Sequence, residues 1–373
     1  MKFVLFYHSL ISDWNHGNAH FLRGIASELL ARGHTLAVYE PADAWSVQHL
    51  VQTQGPAALR AYQAVYPGLS SQRYRLETLD LDAVLDGADV VLAHEWNEPA
   101  LIAALGRHRR GQHYRLLFHD THHRAVSEPE QMARFDLRDY DGVLAFGERI
   151  RALYLERGWT RAAWTWHEAA DTRLFHPLPE MTPEADLVWI GNWGDDERGE
   201  ELREFLIEPV AQLGLTARVH GVRYPDAARA ALAAAGIDYR DWLANYQAPA
   251  VFARHRMTVH VPRRWYARAL PGIPTIRMFE ALACGIPLVS APWEDSEGLF
   301  RAGSDYLLAA SGAEMTRQLA RLRDDPALRS ELAGSGRERI LARHTCAHRV
   351  DELLAILARL QPPVPGAVKE SIA

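Results

Sequence analysis

The chain has 373 residues, 48% of them hydrophobic and 24% charged, and a formal net charge of −6. That length exceeds what one core usually supports, so two domains are expected. The acidic balance argues against a general binder of nucleic-acid backbones, which needs a basic face, and leaves room for a local basic cleft that holds a small anion.

Residues 2–8 form a short apolar run broken by His8 and Ser9, which suits a buried strand rather than a secretory signal. Residues 18–32 then place Phe21, Leu22, Ile25, Leu29 and Leu30 on one helical face, with Gly33 as the stop. Residues 35–39, 89–94 (DVVLAH), 115–119 (RLLFH) and 142–146 (GVLAF) repeat the strand pattern, each followed by a helical segment. Apolar strands alternating with amphipathic helices imply a parallel sheet covered on both faces. FHPLPEMTP (175–183) interrupts the pattern and reads as a linker, after which strands recur at 186–191, 217–220, 257–261 and 287–290. Residues 314–360 read as mostly helical, before a Pro-rich end, PPVPG. Cys284 and Cys346 make no disulfide framework. No stretch approaches the roughly 18 apolar residues that span a bilayer, so a cytoplasmic location without a transmembrane segment is expected.

The most informative segment is PGIPTIRMFEALACGIPLVS, 271–290. It reads as a Gly/Pro loop, a helix starting near Thr275, a stop at Gly285 and a buried strand. The loop presents backbone N–H groups of Thr275, Ile276 and Arg277 beside the positive end of the helix dipole, an arrangement that suits a diphosphate. Arg277 adds a charge-assisted contact in the first turn, and Glu280 stands one turn on, where a carboxylate can take two hydroxyls of a ribose. The plainer reading is a surface loop with an Arg–Glu pair at i,i+3.

FEALACGIPLVS resembles the nucleotide-binding signature of family-4-like GT-B glycosyltransferases (glycosyl transferases group 1), a Glu-Ala-x-Ala-x-Gly helix followed by Pro-x-Val. The longer form, with GIPTIRMFEALACG, WEDSEGLFRAGSDYLLA and RHTCAHRVDELL, is similar to the CgeB-like branch. The resemblance implies an α/β chain of GT-B fold, two Rossmann-like domains facing each other across a cleft. Their limits would be 1–175 for the acceptor domain, 176–183 for the linker and 184–345 for the donor domain, with 346–373 returning toward the first domain. It implies a hexosyltransferase-like enzyme that moves a sugar from a nucleotide-sugar to an unknown acceptor, with retained configuration and with neither metal nor cofactor. It assigns Glu280 to the donor ribose and the amides near Thr275 and Arg277 to the diphosphate. One departure stands out: family members often carry a second Glu eight residues earlier, where this chain has Gly272.

Other loops beyond strand ends complete the expected site. In LVWIGNWGDDER (187–198), Gly191, Asn192 and Arg198 are candidates for the diphosphate; a single G-x-x-G is also an ordinary strand–helix turn. In DWNHGN (13–18), Gly17 allows close backbone approach and Asn18 can cap the next helix. HDTHHR (119–124) lacks a partner cluster at a metal spacing, and the resemblance places His119 near the donor sugar, with Asp120 orienting it or taking the acceptor proton. Glu95 is the alternative base and Trp96 a sugar platform; RRWYAR (263–268) suits a phosphate or acceptor anion rather than nucleic acid. Two other readings stay open, a nucleotide-sugar epimerase of the same fold and a non-catalytic binding module.

Overall fold

The computed structural model describes residues 1–179, 181–194 and 197–360. The Pro-rich end expected at 362–366, the tail from 361 and the acidic pair Asp195–Asp196 therefore lie outside the described residues.

Two parallel sheets organise the molecule. The first runs β3-β2-β1-β4-β5-β6-β7, from β1 (Lys2–Phe6), β2 (Thr35–Pro41), β3 (Gln72–Tyr74), β4 (Val90–His94), β5 (Arg115–Asp120), β6 (Gly142–Ala145) and β7 (Ala163–Thr165). The second runs β10-β9-β8-β11-β12-β13, from β8 (Ala185–Ile190), β9 (Ala217–His220), β10 (Ile237–Tyr239), β11 (His255–His260), β12 (Leu288–Ser290) and β13 (Leu307–Leu308). Strands β1, β4 and β5 are buried at nearly every position because helices cover both faces of the sheet. Register follows this burial: Phe3 opposes Val90, and Leu5 opposes Leu92.

Strand order reverses between β1 and β4 in the first sheet and between β8 and β11 in the second. Ligands bind in the crevice beyond the carboxyl ends of strands at such a reversal. The loops after β1 and β8 therefore form the natural site, and a hydrogen bond joins them across the domains: Asn192 Nδ2 donates to Asn15 Oδ1 at 2.9 Å.

The helix Ala19–Ala31 buries Phe21, Leu22, Ile25 and Leu29, with Leu30 half-buried. The last described helix, Cys346–Arg359, packs on it although it follows the second domain in sequence. Close packing here requires Gly24, where a Cβ would stand 2.4 Å from Cys346 Sγ. Trp166 Nε1 donates to Arg349 O at 2.8 Å, and Arg32 Nη2 to Ala347 O at 3.0 Å. The four strands not anticipated from sequence, β3, β7, β10 and β13, have two or three residues each, too few to show a period. No described helix is long and apolar enough to cross a membrane.

Candidate functional site

The cleft between the sheets holds two adjoining cavities. The first is walled mainly by the second domain. Its floor is the loop after β8, brought against the end of β9 by two glycines. A Cβ on Gly191 would stand 2.4 Å from the Trp189 ring, and one on Gly221 would stand 2.1 Å from Gly191 O. Three guanidiniums converge on this cavity, from Arg198, Arg263 and Arg277. Arg198 is buried; it donates to Val261 O at 3.0 Å and to Asn192 O, and its Nε has no partner among the described residues. Burial first, then repulsion from Arg263 and Arg277, lowers its pKa to about 9. Such a group is stabilised by an incoming anion.

The helix Ile276–Cys284 points its N-terminus into the same cavity. Thr275 occupies the N-cap position without capping with its side chain; its hydroxyl is bonded instead to His260 Nε2 at 3.1 Å. Gly285 ends the helix in the left-handed conformation, φ 69°. The Ile276 amide acts on the Glu168 carboxyl and favours its ionised form. Ile276 also lines both cavities and packs against Gly17, where a Cβ would meet its Cγ2 at 3.2 Å. Trp242 and Asn245, from the loop after β10, close the far end. Both are tied to Asp13 of the first domain, through Trp242 Nε1 at 3.2 Å and the Asn245 amide at 2.9 Å.

The second cavity is walled by the first domain. The half-exposed indoles of Trp45 and Trp96 face it, together with His122, His123 and Glu168. Trp96 carries the Arg124 guanidinium 4.0 Å from its ring centroid. His16 belongs to both cavities. One of its nitrogens bonds His8 at 3.2 Å, and its buried Nε2 has no partner among the described residues. Burial and the nearby Arg263 lower its pKa to about 4, so it is neutral at physiological pH.

The three expected catalytic residues sit elsewhere. β5 continues through Asp120, so His119 and Asp120 point to opposite faces of the sheet, both inside the core. His119 bonds the Tyr7 hydroxyl at 2.7 Å and packs edge-on to Trp166. Asp120 accepts from the Tyr154 hydroxyl at 2.8 Å and from the His122 amide at 3.0 Å. Glu95 is fully buried in an ion pair with Arg124. Burial raises the Glu95 pKa to about 7 and that of Asp120 to about 6. None of the three lines either cavity; the residues of this loop that do are Thr121, His122 and His123.

Glu280 is likewise turned inward. Its carboxylate accepts from Asn245 Nδ2 at 2.6 Å, bonds His20 Nδ1 of the first domain at 2.7 Å and pairs with Arg277. Burial opposes its ionisation, but Arg277 and His20 hold the pKa below the usual carboxylate value. The Arg–Glu pair expected of a plain surface loop is thus present, buried instead of exposed. At Gly272 no larger residue fits: φ is 84°, and a Cβ would stand 2.6 Å from Glu297 Oε1. Among the described residues no group of three or more His, Cys, Asp or Glu is arranged to hold a metal ion.

Sequence reasoning missed Trp45, Trp242, Asn245, His16 and Glu168 as cleft residues. Glu168 had no signal beyond its place after a strand too short to read. His16 lay within the loop already singled out for Gly17.

Residues 198–355 match the family model described as glycosyl transferase-like. No curated protein matches the chain. Anabaena HepE in complex with UDP and glucose is 15% identical over 96% of this chain and 100% of that one, with a TM-score of 0.66. An α-glucosyltransferase in complex with UDP-glucose and DNA containing an abasic site is 12% identical over 96% and 99%, with a TM-score of 0.71. The sucrose-phosphate synthase of Thermosynechococcus elongatus is 15% identical over 96% and 99%, at 0.65. Identities this low establish the shared fold, two Rossmann-like domains across a cleft.

Proposed function

We propose that this chain is a glycosyltransferase whose first cavity takes the nucleoside diphosphate of a nucleotide-sugar and whose second takes the acceptor. The observation that carries this reading is the convergence of Arg198, Arg263 and Arg277 on one helix N-terminus at the strand-order reversal. Trp242 and Asn245 at the far end suit a nucleobase and ribose, and His16, at the shared wall, marks where the scissile bond lies.

In the reaction the bond from the anomeric carbon to the diphosphate oxygen breaks and a bond to the acceptor oxygen forms. Negative charge grows on the departing diphosphate, and guanidiniums already desolvated and fixed stabilise it without reorganisation. These three cations supply the charge that a metal provides in other sites, so the transfer is metal-independent. Retained configuration fits the burial of Glu95 and Asp120, which are pinned beneath the cleft; the acceptor proton then passes to the leaving phosphate oxygen. The acceptor is a neutral polyhydroxylated molecule. The indole faces of Trp45 and Trp96 suit sugar C–H surfaces.

A thermal-shift and calorimetric panel of UDP, GDP and dTDP with their hexose conjugates tests this reading, followed by NMR of the product anomer with and without EDTA. Stabilisation by one nucleotide and a retained anomeric configuration are expected. No binding by any nucleotide overturns the donor site. Epimerised donor with no acceptor consumed, or binding without any turnover, overturns the transfer.

A further inference from the structure

We propose that Glu168 reads the transferred sugar, its carboxyl hydrogen-bonding a hydroxyl of the glycosyl group at the junction of the two cavities. This inference rests on the first cavity being the donor site.

Glu168 lies in the segment that leaves β7 for the second domain, and its backbone is held on both sides. Arg349 Nε donates to His167 O at 2.9 Å, and Ala170 N to His344 O at 2.9 Å. The His167 ring bonds Glu297 Oε2 at 2.8 Å. Between these anchors the Glu168 side chain is 5% exposed, and what it faces is the second cavity, beside Phe146, Tyr266 and Thr275. Among the described residues no side chain pairs with its carboxyl, and the Ile276 amide is the backbone group that acts on it. A carboxyl has further lone pairs and, when protonated, a donor.

The other carboxyls on this cavity are less suited. Glu197 is engaged by His123 and Arg263, each at 3.3 Å, and Glu128 is more exposed. The loop ahead of the Ile276–Cys284 helix offers none, because Gly272 is closed off by Glu297. Glu168 reaches the same helix start from the opposite domain, one residue from Arg277, and so stands where a sugar attached to a bound diphosphate must lie.

The charges around it determine its form. Burial is the main cause, Glu280 adds to it and Arg277 opposes it, and together they raise its pKa to about 8. A group that keeps its proton at neutral pH donates to a sugar hydroxyl and does not repel the diphosphate beside it.

The test uses the full chain and calorimetric titration with UDP, GDP and dTDP and with UDP-glucose, GDP-mannose and dTDP-glucose. In Glu168→Met, which keeps the volume, the nucleoside diphosphate that binds the native protein is expected to bind within about threefold of native, while its hexose conjugate weakens by about tenfold, the worth of one buried hydrogen bond. Glu168→Gln, which retains donor and acceptor, is expected to keep the native ratio. The same comparison in Glu168→Ala provides a second reading should the Met variant fold poorly. If the ratio of conjugate to diphosphate affinity is native in both Met and Ala variants, or if both ligands weaken equally, the proposal is overturned. If no diphosphate binds the native protein, the donor-site reading falls instead.

Discussion

Arg198→Met separates a ligand-binding cation from a structural strut. In the ligand-free protein Arg198 is a buried charge repelled by two others, and its pKa falls from the usual guanidinium range to about 9. At ~1.4 kcal/mol per pKa unit, that displacement corresponds to an electrostatic burden of about 5 kcal/mol. Its hydrogen bonds to Val261 O and Asn192 O offset part of this, at ~1 kcal/mol net each, and leaving those carbonyls bare costs a further ~1–3 kcal/mol. Methionine restores most of the packed volume over Trp189. The balance is between zero and ~2 kcal/mol in favour of the variant, so its ligand-free Tm is expected to be unchanged or a few degrees higher. Diphosphate binding moves the other way, since losing a desolvated charge-assisted contact of ~2–4 kcal/mol weakens it by about 30- to 1000-fold. Differential scanning fluorimetry and calorimetric titration with the nucleoside diphosphate read both quantities. A ligand-free Tm lowered by ~10 °C with diphosphate affinity intact would refute the reasoning and make Arg198 a strut.

Trp45→Ala is expected to raise the acceptor KM by about tenfold and leave donor affinity unchanged, by loss of an exposed stacking face; a changed donor Kd with a native acceptor KM would contradict the assignment of the second cavity. Glu280→Ala leaves Arg277 and His20 uncompensated in the core and is expected to cost about 3–5 kcal/mol of stability, read by urea denaturation; native stability with lost ribose selectivity would restore the direct contact implied by the family resemblance. Acid is expected to unfold the protein from the floor of the first domain. His8, His16, His94 and His119 all have folded pKa values below the ordinary one, with His16 at about 4 and His119 at about 3, by burial. Their stabilisation is complete above pH 6.5 and is lost as pH falls toward the folded values. Glu95 and Asp120, with raised values, act in the opposite sense over the same window, but the four imidazoles outnumber them, so stability is expected to fall as pH drops from about 6 to 4.5. A Tm that stays flat from pH 7 to 4.5 would contradict this.

Periodicity made the long elements legible. The helix Ala19–Ala31 agrees with the apolar face of residues 18–32, and β1, β4, β5 and β8 are apolar runs with clear stops. Gly285 signalled a helix end and adopts the backbone conformation that only glycine takes easily. The cleft loops were legible for a different reason: alternating strands and helices imply a parallel sheet, and a parallel sheet places its ligands beyond the carboxyl ends of its strands. Side-chain direction was not legible. A strand that continues one residue further, through Asp120, turns both His119 and Asp120 into core residues and hands the cleft to His122 and His123. Glu280 carries the expected spacing on its helix, yet its face is decided by His20, 260 residues away, which no local pattern encodes.

The contacts across the cleft tie donor binding to domain approach. Asp13 accepts from Arg23 within its own domain at 2.8 Å, and the same carboxylate receives Trp242 Nε1 and the Asn245 amide from the other. Asn245 in turn reaches Glu280, which holds His20. The end of the first cavity that suits a nucleobase is therefore complete only when the two domains meet. A ligand touching both walls binds that arrangement more tightly than any in which they part, and it shifts the population toward closure by that difference in affinity and no more. Buried Arg23, which also donates to Leu10 O at 2.8 Å, fixes Asp13 for this role, and Asn15 and His16 of the same loop add their side chains to the cleft. Cation supply from one domain and shape supply from the other explain why the anion site was readable from the second half of the chain, while the residues that complete it came from the first.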